Sequence, residues 1–180
     1  MIILIGPSAS GKTEIAKYLI SKFAFKKFVT TTTRKPRYGE INDIDYHFID
    51  IDTFQKYINE DKFIEYVNYN GNYYGTTLEE IDDQKVLILE PSGLLAFKKL
   101  NNPKIISFYI DATLETRKDR MILRKDDPEE IIKRIENDDS YFLDAKKEAS
   151  HLVVNNNDTS IKDVANKIFK IYIQEIINLD

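Results

Sequence analysis

Four short stretches of the chain are apolar almost without interruption: residues 2–5, 86–89, 105–110 and 152–154. Runs this short suit strands buried on both faces of a parallel sheet. A weaker fifth run covers residues 28–32. Between the runs the apolar positions recur every three or four residues, the period of helices with one buried face. That spacing predicts helices over 12–21, over 52–60 with Phe54, Tyr57 and Ile58 on one face, and over 92–100. A further helix starts at Asp127-Pro128-Glu129-Glu130, with proline in its first turn and acids at its positive end, and runs towards Tyr141. The last is capped near Thr159 or Ser160 and buries Ile161, Val164, Ala165, Ile168, Phe169 and Tyr172. Alternating strands and helices predict an α/β domain, a parallel sheet flanked by helices. Residues 46–75 break the alternation. A short strand and a helix precede a strand at 63–69, then Asn70-Gly71 and Asn72-Tyr73-Tyr74. Asn-Gly between strand-like runs predicts a hairpin, hence a small antiparallel β insert.

Composition narrows the class. The chain has 180 residues, enough for one domain with a real core. It is 42% hydrophobic and 31% charged, which suits a soluble protein, and no apolar run approaches a membrane span. A net charge of −4 argues against holding nucleic acid by bulk charge. The absence of cysteine excludes disulfides, thiolate metal sites and thiol nucleophiles. With a strand starting at the first residues there is no room for a signal or transit peptide, and the expected location is cytoplasmic.

Candidate chemistry begins in the first turn. Gly6-Pro7-Ser8-Ala9-Ser10-Gly11-Lys12-Thr13 lies between the first strand and the first helix and has the spacing of a phosphate-binding loop. Backbone N–H groups of such a loop cradle phosphate oxygens, with a helix dipole behind them. Lys12 is expected to reach the β- and γ-phosphates, and Thr13 to ligate Mg²⁺. Arginine occurs only at Arg34, Arg37, Arg117, Arg120, Arg124 and Arg134, against a lysine-rich background. Arginine is the better bidentate clamp for phosphate, so both clusters are candidates.

Further segments follow the loop in order. They are Thr30-Thr31-Thr32-Thr33-Arg34-Lys35-Pro36-Arg37-Tyr38-Gly39-Glu40, Asp45-Tyr46-His47-Phe48, Phe63-Ile64-Glu65-Tyr66 and Gly71-Asn72-Tyr73-Tyr74-Gly75-Thr76. Together they resemble the guanylate kinase family, from Ile2 to about Asn155. The resemblance implies a P-loop fold that transfers the γ-phosphoryl of ATP to GMP or dGMP. It implies a core of about 1–33 and 84–180, a GMP-binding insert of about 34–83 and a mobile lid of about 113–135. Thr30, Arg34, Arg37, Tyr46 and Tyr74 are then expected on the acceptor phosphate. Glu65 and Thr76 are expected on the base. A carboxylate can accept from guanine N1–H and the 2-amino group, donors that adenine lacks together. Arg120, Arg124 and Arg134 are expected to close over the ATP phosphates, and Asn155 to lie near adenine. ATP, GMP and dGMP are the partners implied, with no membrane and no nucleic acid, in a monomer or homodimer.

The chain also departs from the family pattern. Where the family has D-I-D-x-Q-G, Ile88-Leu89-Glu90-Pro91-Ser92-Gly93 stands, leaving Glu90 as the acid for Mg²⁺ or its waters and for GMP. Leu123-Arg124-Lys125 lacks the lid's usual glycine. Ala9 replaces a common loop glycine, which requires a negative φ there. Asp111 is a candidate replacement for the missing carboxylate. Two alternatives stay open on sequence: a non-catalytic, protein-binding module of the same fold, and a same-fold kinase for another phosphorylated acceptor.

Overall fold

A computed structural model describes residues 1–69 and 71–179. Strand β1 (Ile2–Ile5) runs into helix α1 (Lys12–Phe23), and short strands β2 (Lys26–Lys27), β3 (Thr31–Thr32) and β4 (His47–Phe48) follow. Helix α2 (Ile51–Asn59) leads to β5 (Phe63–Tyr69), β6 (Asn72–Thr77) and β7 (Lys85–Ile88). Then come α3 (Pro91–Lys99), β8 (Ile106–Asp111), α4 (Leu114–Leu123), α5 (Pro128–Tyr141), α6 (Leu143–Glu148), β9 (His151–Val154) and α7 (Ile161–Ile177).

The main sheet has the order β2-β7-β1-β8-β9, and every pair in it is parallel. Its central strand, β1, is fully buried, which is why residues 2–5 carry no polar alternation. Successive side chains still go to opposite faces. Ile2 and Leu4 pack with Ile15 and Leu19 of α1 and with Val164, Ala165 and Ile168 of α7. Ile3 and Ile5 pack with Leu94 and Phe97 of α3, and with Phe142 and Ala145. The order places the turn after β1 where the chain leaves to opposite sides, a crevice at the carboxyl ends of the strands.

The expected fifth run, 28–32, forms a strand only at its end, and two residues just ahead of it form another. Lys26–Lys27 joins the main sheet beside β7, whereas Thr31–Thr32 joins a second sheet of order β4-β3-β6-β5. In that sheet β3–β6 and β5–β6 are antiparallel, but β3–β4 is parallel, so the insert is mixed rather than antiparallel. It also starts before residue 34, since β3 belongs to it. The hairpin between β5 and β6 follows the expected register, with Tyr69 opposite Asn72 and Gly71 at φ 76°. Asn70 of that turn lies outside the described residues. Gly75 on β6 is required by packing, because a Cβ there would lie 2.6 Å from the Phe63 ring, which stacks on Phe54. Helix α6 was not signalled by periodicity, being only six residues long.

Candidate active site

The turn after β1 is held from beneath. A Cβ on Gly6 would lie 2.3 Å from the Ile110 carbonyl oxygen, and one on Gly11 would lie 2.2 Å from the Asn155 amide nitrogen. Both glycines have positive φ, 146° and 98°. Gly11 is also the N-cap of α1 and supplies no side-chain cap, so the first-turn N–H groups stay open to an anion. Asn155 is fully buried, and its amide donates to the Ser10 carbonyl at 2.7 Å. It therefore buttresses the loop instead of facing an adenine, the position the resemblance implied.

Ala9 corrects another expectation. Its φ is +59°, in the left-handed region that an L side chain occupies at a cost of about 1–2 kcal/mol. Ala9→Gly is expected to raise the unfolding free energy by about 1 kcal/mol, read as an upward shift of the denaturation midpoint. An unchanged or lower midpoint would show that the loop imposes no such strain.

Lys12 folds back over its own loop. Its Nζ donates to the carbonyls of Gly6 (2.5 Å) and Pro7 (2.8 Å). Burial pushes its pKa down to about 8 from an ordinary 10.5, against the opposing pull of Glu90 and Asp138. Glu90, just past β7 and at the N-cap of α3, keeps solvent contact, yet nearby protein still pushes its carboxyl pKa up, with Lys12 opposing. Thr13 is exposed in the first turn of α1. A cavity of about 290 Å³ is lined by Ala9, Gly11, Lys12, Thr13, Arg120 and Arg124, among others. The Arg120 guanidinium donates to the Ala9 carbonyl at 3.3 Å and the Asn156 carbonyl at 3.4 Å. Arg124 and Arg134 instead both turn to Asp126. The lid arginines thus divide: Arg120 bonds the loop itself, while Arg124, at the edge of the same cavity, and Arg134 share the single Asp126 carboxylate.

The second sheet gathers the other cluster. Arg34 makes a two-pronged ion pair with Glu40, at 3.0 and 2.8 Å, and the Glu40 carboxylate also accepts from the Arg37 backbone N–H at 2.6 Å. The guanidinium holds the Glu40 carboxyl below the usual carboxylate range. It lies near Tyr74 as well, and 5.5 Å over the Tyr46 ring. The rings of Tyr46 and Tyr74 meet edge to face at 6.4 Å. Arg37 is exposed. Thr76, buried on β6, donates its hydroxyl to Glu65 on β5. The pairing register shifts between Phe63 and Glu65, a one-residue irregularity that re-aims the following side chain. A second cavity of about 400 Å³, lined in part by Thr30, Tyr46 and Ile88, shares Thr13 with the first.

Asp111 does not restore the missing carboxylate, because its side chain is paired with Lys146 on α6 at 2.7 Å. The carboxylate at the loop is one that residue patterns passed over: Asp138 on α5 accepts from the Ser8 backbone N–H at 2.6 Å. The available signal was an acid at the third position of the buried stripe Ile131, Ile135, Asp138, Phe142.

The family model described as guanylate kinase matches residues 1–171. The chain belongs to the guanylate kinase family. A guanylate kinase from Clostridium perfringens (strain SM101 / Type A) is 33% identical over the whole of this chain and 85% of its own length. One from Fusobacterium nucleatum is 30% identical over 87% of this chain and 88% of its own. A solved guanylate kinase from Anaplasma phagocytophilum aligns with a TM-score of 0.68 over 97% of this chain and 85% of that one, at 21% identity, a likeness of fold. Members of the family are nucleoside monophosphate kinases, and two cavities of this chain meet at Thr13. No helix among the described residues is long and apolar enough to cross a membrane.

Proposed function

We propose that this chain transfers the γ-phosphoryl group of ATP to GMP, giving ADP and GDP, and accepts dGMP in the same way. The observation that carries the choice of acceptor is the Thr76–Glu65 pair at the register shift of the second sheet. Thr76 engages one carboxylate oxygen, and the remaining acceptor capacity matches guanine's two adjacent donors. The Arg34, Arg37, Tyr46, Tyr74 and Thr30 donors hold the GMP phosphate. Glu40 fixes the plane of the Arg34 guanidinium and leaves it further N–H groups for that phosphate.

ATP binds on residues 6–13. Lys12 exchanges its carbonyl partners for phosphate oxygens, and Arg120 lies ready at Ala9. Arg124 and Arg134 leave Asp126 as the lid, about 113–135, closes over the donor. The acceptor phosphate is already an anion, so positioning and charge stabilisation serve where other transfers need a base. Mg²⁺ fits the donor set: it needs only one or two protein oxygens beside phosphate and water, and Thr13 and Glu90 supply these. Thr13 would hold the ion directly and Glu90 through water, and the bound ion would offset phosphate charge. A monomer suffices for this chemistry, since both substrate sites are built from one chain.

An ADP-release assay with GMP, dGMP, AMP, CMP and UMP tests the reading. Turnover is expected with GMP and dGMP and close to background with the others. Nucleotide binding without turnover of any acceptor would favour the non-catalytic module instead.

A further inference from the structure

An ion pair sits where two helices meet the phosphate loop. Arg117 of α4 is 2% exposed and Asp138 of α5 is 8% exposed, and they meet at 3.1 Å. Together they grip one residue of the loop by both backbone groups. Asp138 accepts from the Ser8 N–H at 2.6 Å, while the Arg117 Nε donates to the Ser8 carbonyl at 3.2 Å. Burying two charges is expensive, and packed apolar side chains at such a position are often as stable or more so. Stability alone therefore accounts poorly for the pair. Its bonds to Ser8 supply another reason. Ser8 precedes Ala9, whose left-handed φ of +59° makes that turn inclined to relax.

We infer that Arg117 and Asp138 are positioning residues which hold the Ser8–Ala9 turn in the shape that receives ATP. The inference rests on the kinase reading above. Neither residue needs to touch substrate. The clamp acts on the fraction of loops that are competent before ATP arrives, and the apparent affinity scales with that fraction. Once ATP is seated the loop is in one shape with or without the clamp, so turnover at saturation changes little. The bonds of the pair described above go to the phosphate loop, whereas the acceptor residues lie on the second sheet. The effect is therefore confined to one substrate. Because the pair belongs to the two helices flanking residues 124–127, lid position and loop shape are also linked through it.

The test is a double substitution, Arg117→Met with Asp138→Leu, which replaces the pair by apolar side chains of similar reach. The melting temperature is expected to stay the same or rise. KM for ATP is expected to rise about tenfold, with kcat and KM for GMP within about twofold of wild type. Asp138→Asn alone, which removes the negative charge of the pair and the charge assistance of the Ser8 N–H bond, should lower the melting temperature and raise KM for ATP. A folded double variant with wild-type KM for ATP overturns the inference. So does an equal rise in both KM values, which would mark a general loosening. Wild-type turnover with ATP and GMP, measured alongside, tests the kinase reading separately; its absence would sink that reading and leave the inference to direct titration with a fluorescent ATP analogue, on the same expected tenfold loss.

Discussion

Lys12→Met is expected to lower kcat/KM by about 10²- to 10³-fold, the range seen when one preorganised donor to developing charge is removed. The fold should survive with a melting temperature close to wild type. The reason lies in the resting state of the side chain. Its ammonium is held by the Gly6 and Pro7 carbonyls, but burial has already pushed its pKa down to about 8. Removing the charge loses two hydrogen bonds and also relieves that desolvation. The sign of the pH effect follows. Between about 8 and the ordinary 10.5 the unfolded chain holds more protons than the folded one, so Lys12 makes stability rise with pH across that window. ATP binding favours the protonated form, so ATP affinity should fall over the same window. Melting curves and ATP titrations between about pH 7 and 10.5 check both, and the methionine variant should lose both slopes. An ATP affinity of the wild type that is flat above pH 8 would remove Lys12 from the phosphates.

Glu65→Gln is expected to reduce kcat/KM for GMP by about a hundredfold and to erase most of the preference for GMP over AMP. Two charge-assisted hydrogen bonds to guanine become one neutral bond and one clash of donors, a loss of about 2–3 kcal/mol. Stability should hold, because the glutamine carbonyl can still accept from the Thr76 hydroxyl. kcat/KM for both nucleotides, with a melting curve on the same samples, makes the measurement. An unchanged preference would mean that the base is read elsewhere on the second sheet.

The central strands were legible because their burial on both faces leaves nothing but apolar side chains, as in residues 2–5. The short ones were not. Two-residue strands such as β2 and β3 are set by which neighbour offers backbone partners, and no period can be read from two residues. Much of the candidate site could be named in advance, since Lys12, Arg34, Glu65 and Thr76 belong to local segments with recognisable spacing. What could not be read was the company each keeps. Arg124 and Arg134 share Asp126 across a helix break, Asp111 is taken by Lys146, and Asp138 reaches Ser8 across 130 residues of chain. Those pairings are tertiary, and charge patterns along a sequence do not specify them. Ala9 went wrong for a related reason: its φ is imposed by the clamps on either side, at Ser8 and Ser10, against the preference of the residue itself.

The two glycines that bracket the loop carry a broader consequence. Their missing side chains are demanded by a carbonyl of β8 and by the amide of Asn155, both parts of the protein and present whether or not a nucleotide is bound. A descendant that abandoned catalysis would still be obliged to keep Gly6 and Gly11, simply to close its own architecture. The glycine spacing is thus a record of ancestry and folding. Evidence that a given member still works must be sought in the side chains that a phosphate rewards more than the fold does, Lys12 and Thr13 first among them.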